Sequence, residues 1–366
     1  MNIEFMKIAL DCARSVKGKT APNPAVGAVV VLDGKIAGKG ATSAVGGNHA
    51  EINAIEQAKD FCKGADLYVS LEPCSHHGRT PPCTDAIIRA GFKRVFIACL
   101  DPNPLVAGHG IEKLRSAGIE VATGILEKEA IRLNEDFFWY IKNKKPFVAA
   151  KLALTLDNKI ADIHGKSQWI TNEKSLAYTH YLRSIYTSIA VGKNTLLTDN
   201  PKLTIRNIGN SEERAVAHGK NPIRIVFSSD ENVGENTFFR NNAKNHKSII
   251  VLNSKEKYKK IANDGVCIWA TGESDYKKSF LSFLEIAGEE QIDSILLEGG
   301  SKLITTALET QSINRLYLFY APKILGGGAH GLALDNPLSI GNPIKLQEIE
   351  TQNFDGDILI SAILKV

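Results

Sequence analysis

Short apolar runs alternate with amphipathic segments along the first 145 residues. The runs are rich in β-branched residues and predict buried strands at 25–32, 66–71 and 94–100. Amphipathic segments with a helical spacing of apolar positions predict helices at 49–62, 83–90 and 110–117. Alternation of this kind is typical of an α/β fold, in which helices cover a sheet.

A longer helical pattern at 127–145 ends the first half of the chain. It closes with the basic run 142–145 (KNKK), and Pro146 follows directly. Cationic residues in a last turn and a proline after it are helix stop signals. We therefore expect a domain boundary here, with one domain at 1–145 and a second at 146–366.

The second half repeats the alternation of strands and helices. Apolar runs predict strands at 147–154, 188–191, 223–228, 248–252, 294–298 and 315–320. Helical patterns are clearest at 172–183 and 276–287, whereas 207–221 is polar without a sustained period and predicts a loop. Both halves are thus α/β, and the chain is longer than one core usually supports.

Composition and charge narrow the class of protein. Of the 366 residues, 43% are apolar and 23% are charged, as in soluble globular proteins. The net charge of +4 is too small to indicate nucleic acid or a membrane surface as a partner. No apolar run approaches the roughly 18 residues of a membrane span, and the N-terminus lacks a signal-peptide pattern. Six cysteines are too few for a disulfide framework, so we expect a cytoplasmic protein.

Three potential zinc ligands stand in a pattern that also supplies a proton carrier. His49 and Glu51 form an H-x-E motif, and Cys74, at the end of an E-P-C motif, precedes Cys83. One imidazole and two thiolates suit zinc and leave a fourth tetrahedral position for water. Zinc lowers the pKa of that water, and Glu51 is then free to carry the proton to a departing amine. The pattern is that of zinc deaminases, with a wider spacing of the cysteines.

A closed structural zinc site, with His76 or His77 as the fourth ligand, is the main alternative. A structural site needs no acid beside its metal, so Glu51 counts against it. Positions two apart lie on nearly opposite faces of a helix. His49 and Glu51 can therefore share one site if the first helical turn points end-on at the metal. Cys83 also precedes a helical run, and a helix N-terminus stabilises a thiolate.

The second domain offers phosphate-binding features without the G-x-G-x-x-G fingerprint of a Rossmann site. Residues 298–301 (EGGS) follow a predicted strand and open a helix, where backbone N–H groups bind phosphate. The glycines 326–328 are either a second such site or a turn, and the sequence favours neither. Arg183 and Arg206 are candidate phosphate clamps, although an arginine taken alone is more often a solvated surface charge.

Several motifs of the first domain resemble the bifunctional riboflavin-biosynthesis deaminase/reductases. They are 21–27 (APNPAVG), 49–51 (HAE), 72–83 (EPCSHHGRTPPC), 101–104 (DPNP) and 107–111 (AGHGI). The resemblance implies a cytidine-deaminase-like fold with Zn2+ on His49, Cys74 and Cys83, and with Glu51 as the catalytic residue. It also implies substrate contacts by Asn23, His76, Arg79, Asp101 and Asn103. Family members usually carry His where this chain has Thr42, and some carry Lys in place of Arg79.

The second domain resembles the reductase half of the same family, which is similar in fold to dihydrofolate reductase. The matching segments are 151–157 (KLALTLD), 167–171 (SQWIT), 191–195 (VGKNT), 198–201 (TDNP), 203–206 (LTIR) and 297–300 (LEGG). The resemblance implies a substrate site lined by Ser167, Arg183, Leu203, Arg206 and Glu298. It implies NADPH contacts by Ala153, Trp169, Thr195, Asp199 and Gly300. Asn158 replaces a common glycine, and because asparagine tolerates positive φ we expect the turn to survive.

The implied chemistry has two steps on a small phosphoribosyl pyrimidine. The first hydrolyses the 2-amino group of 2,5-diamino-6-(5-phosphoribosylamino)pyrimidin-4(3H)-one, and the second uses NADPH to reduce the ribose of 5-amino-6-(5-phosphoribosylamino)uracil to a ribityl group. We also expect a homo-oligomer assembled through the reductase domain. Two alternatives stay open. A nucleic-acid deaminase would show a basic, aromatic-bearing face, and a zinc-stabilised binding protein would hold its metal without an exchangeable water.

Overall fold

The chain divides into two units, residues 1–144 and 145–366, and each unit has its own sheet and apolar core. The computed structural model describes residues 2–76, 81–104, 106–206 and 221–364. Residues 207–220 of the predicted loop lie outside the described residues. Among the described helices, none is both long enough and apolar enough to cross a membrane.

The first unit is a five-stranded sheet covered by helices. Its helices are Ile3–Arg14 (α1), Ala50–Ala58 (α2), Cys83–Ala90 (α3), His109–Ser116 (α4), Glu127–Leu133 (α5) and Glu135–Asn143 (α6). Its strands are Gly27–Leu32 (β1), Lys35–Ala41 (β2), Asp66–Leu71 (β3), Arg94–Cys99 (β4) and Glu120–Thr123 (β5). The strands lie in the order β2-β1-β3-β4-β5, with β3, β4 and β5 parallel.

The parallel strands β3 and β4 place two chemically important loops side by side. Both strands are buried almost throughout, as expected for parallel strands with helices on both faces. Leu71 pairs with Cys99, so the two strands end at the same edge of the sheet. The segment that carries Cys74 and the segment that carries Asp101 leave the sheet at this edge. Ligands of open α/β sheets bind at this end of the strands.

The predicted helix at 127–145 is wrong as one continuous helix, because it is interrupted at Asn134. The Asn134 side chain accepts a hydrogen bond from the Ala25 N–H at 2.9 Å and donates one to the Ala25 carbonyl at 2.8 Å. This paired contact lies far away in sequence, and helical periodicity carries no sign of it. The backbone at Asn134 leaves helical geometry, and α5 and α6 are separate.

The second unit is built on a ten-stranded sheet, and β7 and β15 form a separate two-stranded sheet. The strands of the unit are Phe147–Thr155 (β6), Lys159–Ala161 (β7), Ser188–Gly192 (β8), Ile223–Ser228 (β9), Ser248–Leu252 (β10), Lys257–Ile261 (β11), Cys267–Thr271 (β12), Ser294–Gly299 (β13), Arg315–Ala321 (β14), Ala329–His330 (β15), Leu346–Phe354 (β16) and Asp357–Leu364 (β17). Its helices are Glu173–Ile185 (α7), Lys193–Asp199 (α8), Phe238–Asn241 (α9), Tyr276–Glu289 (α10) and Ser301–Glu309 (α11).

The sheet order is β11-β12-β10-β9-β8-β13-β6-β14-β17-β16, and the seven strands from β12 to β14 are parallel. All six strands predicted in this half are present, as are the helices predicted at 172–183 and 276–287. The predicted strands are nearly continuous apolar runs because they lie in the middle of a covered parallel sheet. The carboxyl ends of β8, β13 and β6 meet at one edge, and the candidate reductase residues lie there.

Candidate active sites

The three predicted metal ligands come together at the ends of three elements. His49 is the N-cap residue of α2, Cys83 is the first residue of α3, and Cys74 follows β3. The His49 Nδ1 lies 3.6 Å from the Cys74 Sγ and 3.3 Å from the Cys83 Sγ. All three ligand atoms lie within 4.8 Å of one another. The expected convergence of two helix N-termini on one site is therefore confirmed.

The distances between these ligand atoms fit a zinc ion. Tetrahedral zinc with ordinary Zn–N and Zn–S bonds holds its nitrogen and sulfur ligands about 3.6 Å apart. The observed nitrogen–sulfur distances of 3.3 and 3.6 Å match this spacing without rearrangement. Among the described residues the cluster has three ligands, and His76 is not one of them. His77 lies outside the described residues.

The three ligand side chains shift one another's pKa values. A hydrogen bond between the two thiols lowers the pKa of Cys74 and raises that of Cys83. The hydrogen bond to Cys74 raises the pKa of His49, and the charge of Glu51 acts in the same direction. The backbone N–H of Cys83 also donates to the Cys74 Sγ at 3.3 Å, so an amide at a helix start stabilises the thiolate.

Glu51 lies in the first turn of α2 and is buried, with 3% of its surface exposed. Burial, followed by the charge of Cys74, raises the pKa of Glu51 to about 7. A carboxyl group with such a pKa both accepts and releases a proton near neutral pH, which is the requirement for a proton carrier. The first turn of α2 points end-on at the ligands, so His49 and Glu51 share one site despite their spacing.

The other predicted deaminase residues lie in different loops of the first unit, and one of them lies outside the described residues. Asp101 follows β4 and accepts a hydrogen bond from the Asn103 N–H at 2.8 Å. Burial raises the pKa of Asp101, and His76 is close enough to oppose that shift electrostatically. Asn23 lies in the turn before β1, where its N–H donates to the Thr20 carbonyl at 2.9 Å. Arg79 lies outside the described residues.

Thr42, where the family resemblance led us to expect histidine, is a buried part of the fold. Its Oγ1 accepts a hydrogen bond from the Val26 N–H at 3.1 Å, and its own N–H donates to the Val26 carbonyl at 2.9 Å. Its exposed fraction is 5%. The hydroxyl is therefore engaged in holding β1 and the end of β2 together.

In the second unit, Arg183 and Glu298 form a buried ion pair. The Arg183 Nε and Nη2 each donate to one oxygen of Glu298 at 2.6 Å, which is the bidentate geometry of strong pairs. The Arg183 Nη1 donates to the Thr204 carbonyl at 3.2 Å. Arg183 comes from α7 and Glu298 from β13, so the pair joins a helix to the carboxyl end of a central strand.

Arg206 is placed differently, with an exposed side chain. The Arg206 N–H donates to the His180 Nδ1 at 3.1 Å, so His180 holds the backbone from which the side chain projects. Burial lowers the pKa of His180 to about 4, so its ring is neutral and Nδ1 can accept. Leu203, in the same segment, has a φ of 51°, a conformation uncommon for a branched side chain.

Four of the five predicted cofactor residues, Ala153, Thr195, Asp199 and Gly300, lie near the carboxyl ends of β6, β8 and β13. Ala153 is in β6, and Thr195 and Asp199 are in α8, which follows β8. Ser167, predicted on the substrate side, donates from its Oγ to Asp199 at 3.4 Å. Trp169 is 70% exposed, so its indole is accessible to a ligand.

Gly300, predicted to contact NADPH, lies at the junction of β13, β8 and α8. Its φ is 80°, and a Cβ added there would lie 3.5 Å from both the Gly192 N and the Thr195 Oγ1. A Cβ at Gly192, by contrast, would meet nothing within 4 Å, so the space above β8 is open. Bare backbone at the start of α11 beside an open strand end suits phosphate groups.

The glycines 326–328, for which the sequence left a phosphate site and a turn equally open, form a turn. The Gly326 N–H donates to the Asp157 Oδ2 at 2.8 Å, so a carboxylate already occupies it. A Cβ at Gly328 would lie 2.1 Å from the Ala161 carbonyl, which explains the glycine there. Asn158 has the expected positive φ, 60°, and its Nδ2 donates to the Leu332 carbonyl at 3.0 Å.

Lys151 was missed as a candidate functional residue, although it lies within a matching segment. It stands in β6 beside Glu298, since Ala150 pairs with Leu297 on the adjacent strand. Burial lowers the pKa of Lys151, and the charge of Glu298 opposes that shift. A lysine within an otherwise apolar strand run is the sequence signal that could have revealed it, because lysine in such a run usually has a partner.

Comparisons with known proteins cover both units. Residues 1–99 match the family described as the cytidine and deoxycytidylate deaminase zinc-binding region, and residues 146–360 match the RibD C-terminal domain. The riboflavin biosynthesis protein RibD of Aquifex aeolicus is 42% identical over 97% of this chain and 96% of its own length. The Escherichia coli protein of that name is 36% identical over 90% and 89%.

A solved structure shows the same arrangement of elements. It is the diaminohydroxyphosphoribosylaminopyrimidine deaminase/5-amino-6-(5-phosphoribosylamino)uracil reductase of Thermotoga maritima. This chain matches it with a TM-score of 0.85 and 38% identity, over 99% of this chain and 98% of the other. The predicted pairing of a cytidine-deaminase-like domain with a dihydrofolate-reductase-like domain is confirmed.

Proposed function

The chain belongs to the RibD family of bifunctional deaminase/reductases of riboflavin biosynthesis, and we propose that it carries out both reactions at the sites described above. The first is hydrolytic deamination of 2,5-diamino-6-(5-phosphoribosylamino)pyrimidin-4(3H)-one at the His49, Cys74 and Cys83 cluster. The second is reduction of the ribose of 5-amino-6-(5-phosphoribosylamino)uracil beside Glu298. The observation that carries the proposal is the convergence of three zinc-type ligands on the buried Glu51.

In the deaminase, the side chains hold the metal, carry the proton and orient the ring. His49 and the two cysteines would hold zinc, which would supply the acidity that makes a water nucleophilic near neutral pH. Glu51 accepts a proton on one side of the reaction and returns it to the leaving amine, because its pKa of about 7 permits both transfers. Asp101 and Asn103 contact the pyrimidine from the loop after β4.

In the reductase, the chain binds the cofactor at the strand ends and the substrate beside the ion pair. NADPH supplies the hydride, which no amino-acid side chain provides. Ala153, Trp169, Thr195, Asp199 and Gly300 bind the cofactor, and Ser167, Arg183, Leu203, Arg206 and Glu298 line the substrate site. Reduction also consumes a proton. Lys151, whose pKa is lowered by burial, is placed beside Glu298 to donate it.

A coupled assay tests the proposed function. The zinc-loaded chain is incubated with NADPH and the diaminopyrimidinone phosphoribosyl substrate, and ammonia release and NADPH oxidation are followed together. Ammonia release without NADPH, followed by oxidation when NADPH is added, is the expected result. Deamination of a tRNA or a single-stranded oligonucleotide in preference to this substrate would instead indicate a nucleic-acid deaminase.

We further propose that the chain self-associates through the reductase domain in the cytoplasm. Strand β16 is the last strand of its sheet within the described part of the chain, and Ile349 is 59% exposed. The edge strand of a sheet presents backbone N–H and C=O groups that can pair with a strand of a second copy. All six cysteines are free thiols, which supports a reducing compartment. A monomeric mass in sedimentation equilibrium would contradict the self-association.

A further inference from the structure

We propose that Glu72 is a positioning residue of the deaminase, which holds the loop between β4 and α4 in register with the metal site. That loop carries Asp101 and Asn103, so the inference rests on the substrate contacts proposed above. Glu72 is the first residue of the E-P-C motif, and it is not one of the three metal ligands. Its side chain is buried, with 3% of its surface exposed.

The Glu72 carboxylate is hydrogen-bonded to both ends of the loop. Its Oε2 accepts from the Gly108 N–H at 3.0 Å and from the Asp101 N–H at 3.4 Å. Its Oε1 accepts from the Gly110 N–H at 3.0 Å. One buried side chain thus fixes the point where the loop leaves β4 and the point where it enters α4.

The residue type follows from these partners. All three are N–H donors, and a carboxylate offers two oxygens that only accept, whereas glutamine would present an NH2 group to one of them. Gly108 and Gly110 lie at the start of α4, where backbone N–H groups have no partner within the helix and a negative charge is favourable. The buried charge of Glu72 is compensated in this way.

The loop also packs closely against the segment that leads to Cys74. A Cβ added at Gly110 would lie 2.3 Å from the Pro73 carbonyl oxygen and 3.1 Å from the Glu72 Oε1. Glu72 itself is anchored, since its N–H donates to the Cys99 carbonyl at 3.0 Å. The residues 72–74 therefore connect a metal ligand at one end to the loop at the other.

Hydrogen bonds within the loop link the ends that Glu72 holds to the two residues proposed to contact the substrate. The Asn103 N–H donates to the Asp101 Oδ1 at 2.8 Å, and the N–H groups of Val106 and Ala107 both donate to the Asn103 carbonyl, at 2.8 and 2.9 Å. These hydrogen bonds link the described residues 101–104 of the loop to Val106 and Ala107. Release of the two ends of the loop from Glu72 would displace Asp101 and Asn103 together relative to the zinc ligands.

The test is Glu72→Gln in the full zinc-loaded chain, with kcat, KM and zinc content measured for deamination. We expect one zinc per chain, a rise in KM of about 10- to 100-fold from misplaced contacts, a much smaller change in kcat, and unchanged reduction of pre-deaminated substrate. The matched control is Asp66→Asn. Asp66 is the first residue of β3, whose other end leads into Glu72, and it pairs with Arg94 at 2.7 and 2.8 Å. The same carboxylate-to-amide change at that end should therefore leave KM unaltered.

Other outcomes overturn the inference. An unchanged KM, or loss of zinc from a folded Glu72→Gln chain, would show that Glu72 does not act through the loop. If Glu72→Gln does not fold, Gly110→Ala disturbs the same contact from the side of α4 and must raise KM in the same way. Asn103→Ala separates the two proposals: a raised KM in this variant alone overturns the inference and leaves the proposed function standing. An unchanged KM in both Glu72→Gln and Asn103→Ala would also contradict the proposed substrate contacts. The deamination activity of the wild type would then test the proposed function by itself.

Discussion

Glu51 illustrates how burial sets the chemistry of a single side chain. An exposed glutamate is ionised at neutral pH, whereas burial raises the pKa of Glu51 to about 7. We expect Glu51→Gln to retain one zinc per chain and to lose at least about 100-fold in the rate of deamination, because glutamine cannot carry a proton. Reduction of pre-deaminated substrate should be unchanged. Zinc content and ammonia release are the measurements, and ammonia release at the wild-type rate would rule out the assignment.

Arg183 and Arg206 are two arginines of one proposed site in different environments. Arg206→Ala removes an exposed contact to the substrate phosphate, so we expect kcat/KM for reduction to fall by roughly one to two decades with unchanged thermal stability. Arg183→Ala leaves the buried Glu298 without its partner, which typically costs about 3–5 kcal/mol of folding free energy. The melting temperature of the second unit should therefore fall for Arg183→Ala alone.

A dephosphorylated substrate sharpens this comparison. If Arg206 binds the phosphate, the wild type and Arg206→Ala should reduce that substrate about equally poorly. Deamination should stay near the wild-type rate in both arginine variants, because every deaminase residue lies in the first unit. A variant that still prefers the phosphorylated substrate as strongly as the wild type does would exclude Arg206 as the phosphate contact.

At the scale of elements, α7 holds the segment 203–206 through His180 and Arg183. Because burial lowers the pKa of His180 to about 4, the unfolded chain takes up a proton on this residue first as the pH falls. The stability that neutral His180 contributes is complete above its ordinary pKa of about 6.5 and is lost between that value and about 4.

The corresponding test compares the wild type with His180→Asn, which keeps an acceptor near the Arg206 N–H and does not titrate. On lowering the pH from about 7 to about 5, the wild type should lose more unfolding free energy in its second unit than the variant loses. Denaturant titrations of the full chain at several pH values measure the difference. Equal losses in both proteins would show that His180 does not control the stability of this segment.

At the scale of the whole molecule, each proposed site lies within one unit. The zinc ligands and Glu51 belong to residues 1–144, and the ion pair and the Gly300 junction belong to 145–366. We expect a chelator that removes zinc from the full chain to abolish ammonia release and to leave NADPH-dependent reduction of pre-deaminated substrate intact. Added zinc should restore deamination. A parallel loss of NADPH oxidation on chelation would contradict the independence of the two sites.

Local patterns along the chain were sufficient to predict many of the strands and helices and to identify the candidate metal ligands. The strands β3, β4, β6 and β13 are apolar runs, and an apolar run depends on neighbouring residues alone. The ligand set His49, Cys74 and Cys83 is likewise visible in residue types and spacing, because zinc chemistry restricts the choice of ligands. Folding then brings these three side chains together at two helix starts and a strand end.

Tertiary structure decided the contacts between residues far apart in the sequence. The residues around Arg183 and Glu298 in the sequence do not indicate that these two side chains pair. Their ion pair nevertheless makes Arg183 a buried structural residue, whereas Arg206 is exposed. The same holds for Asn134, whose bonds to Ala25 interrupt a helix, and for Glu72, whose carboxylate gathers three distant N–H groups. Periodicity records which face of an element is buried. A buried polar group needs a hydrogen-bonding partner. The order of the strands in the sheet decides which residue is near enough to be that partner.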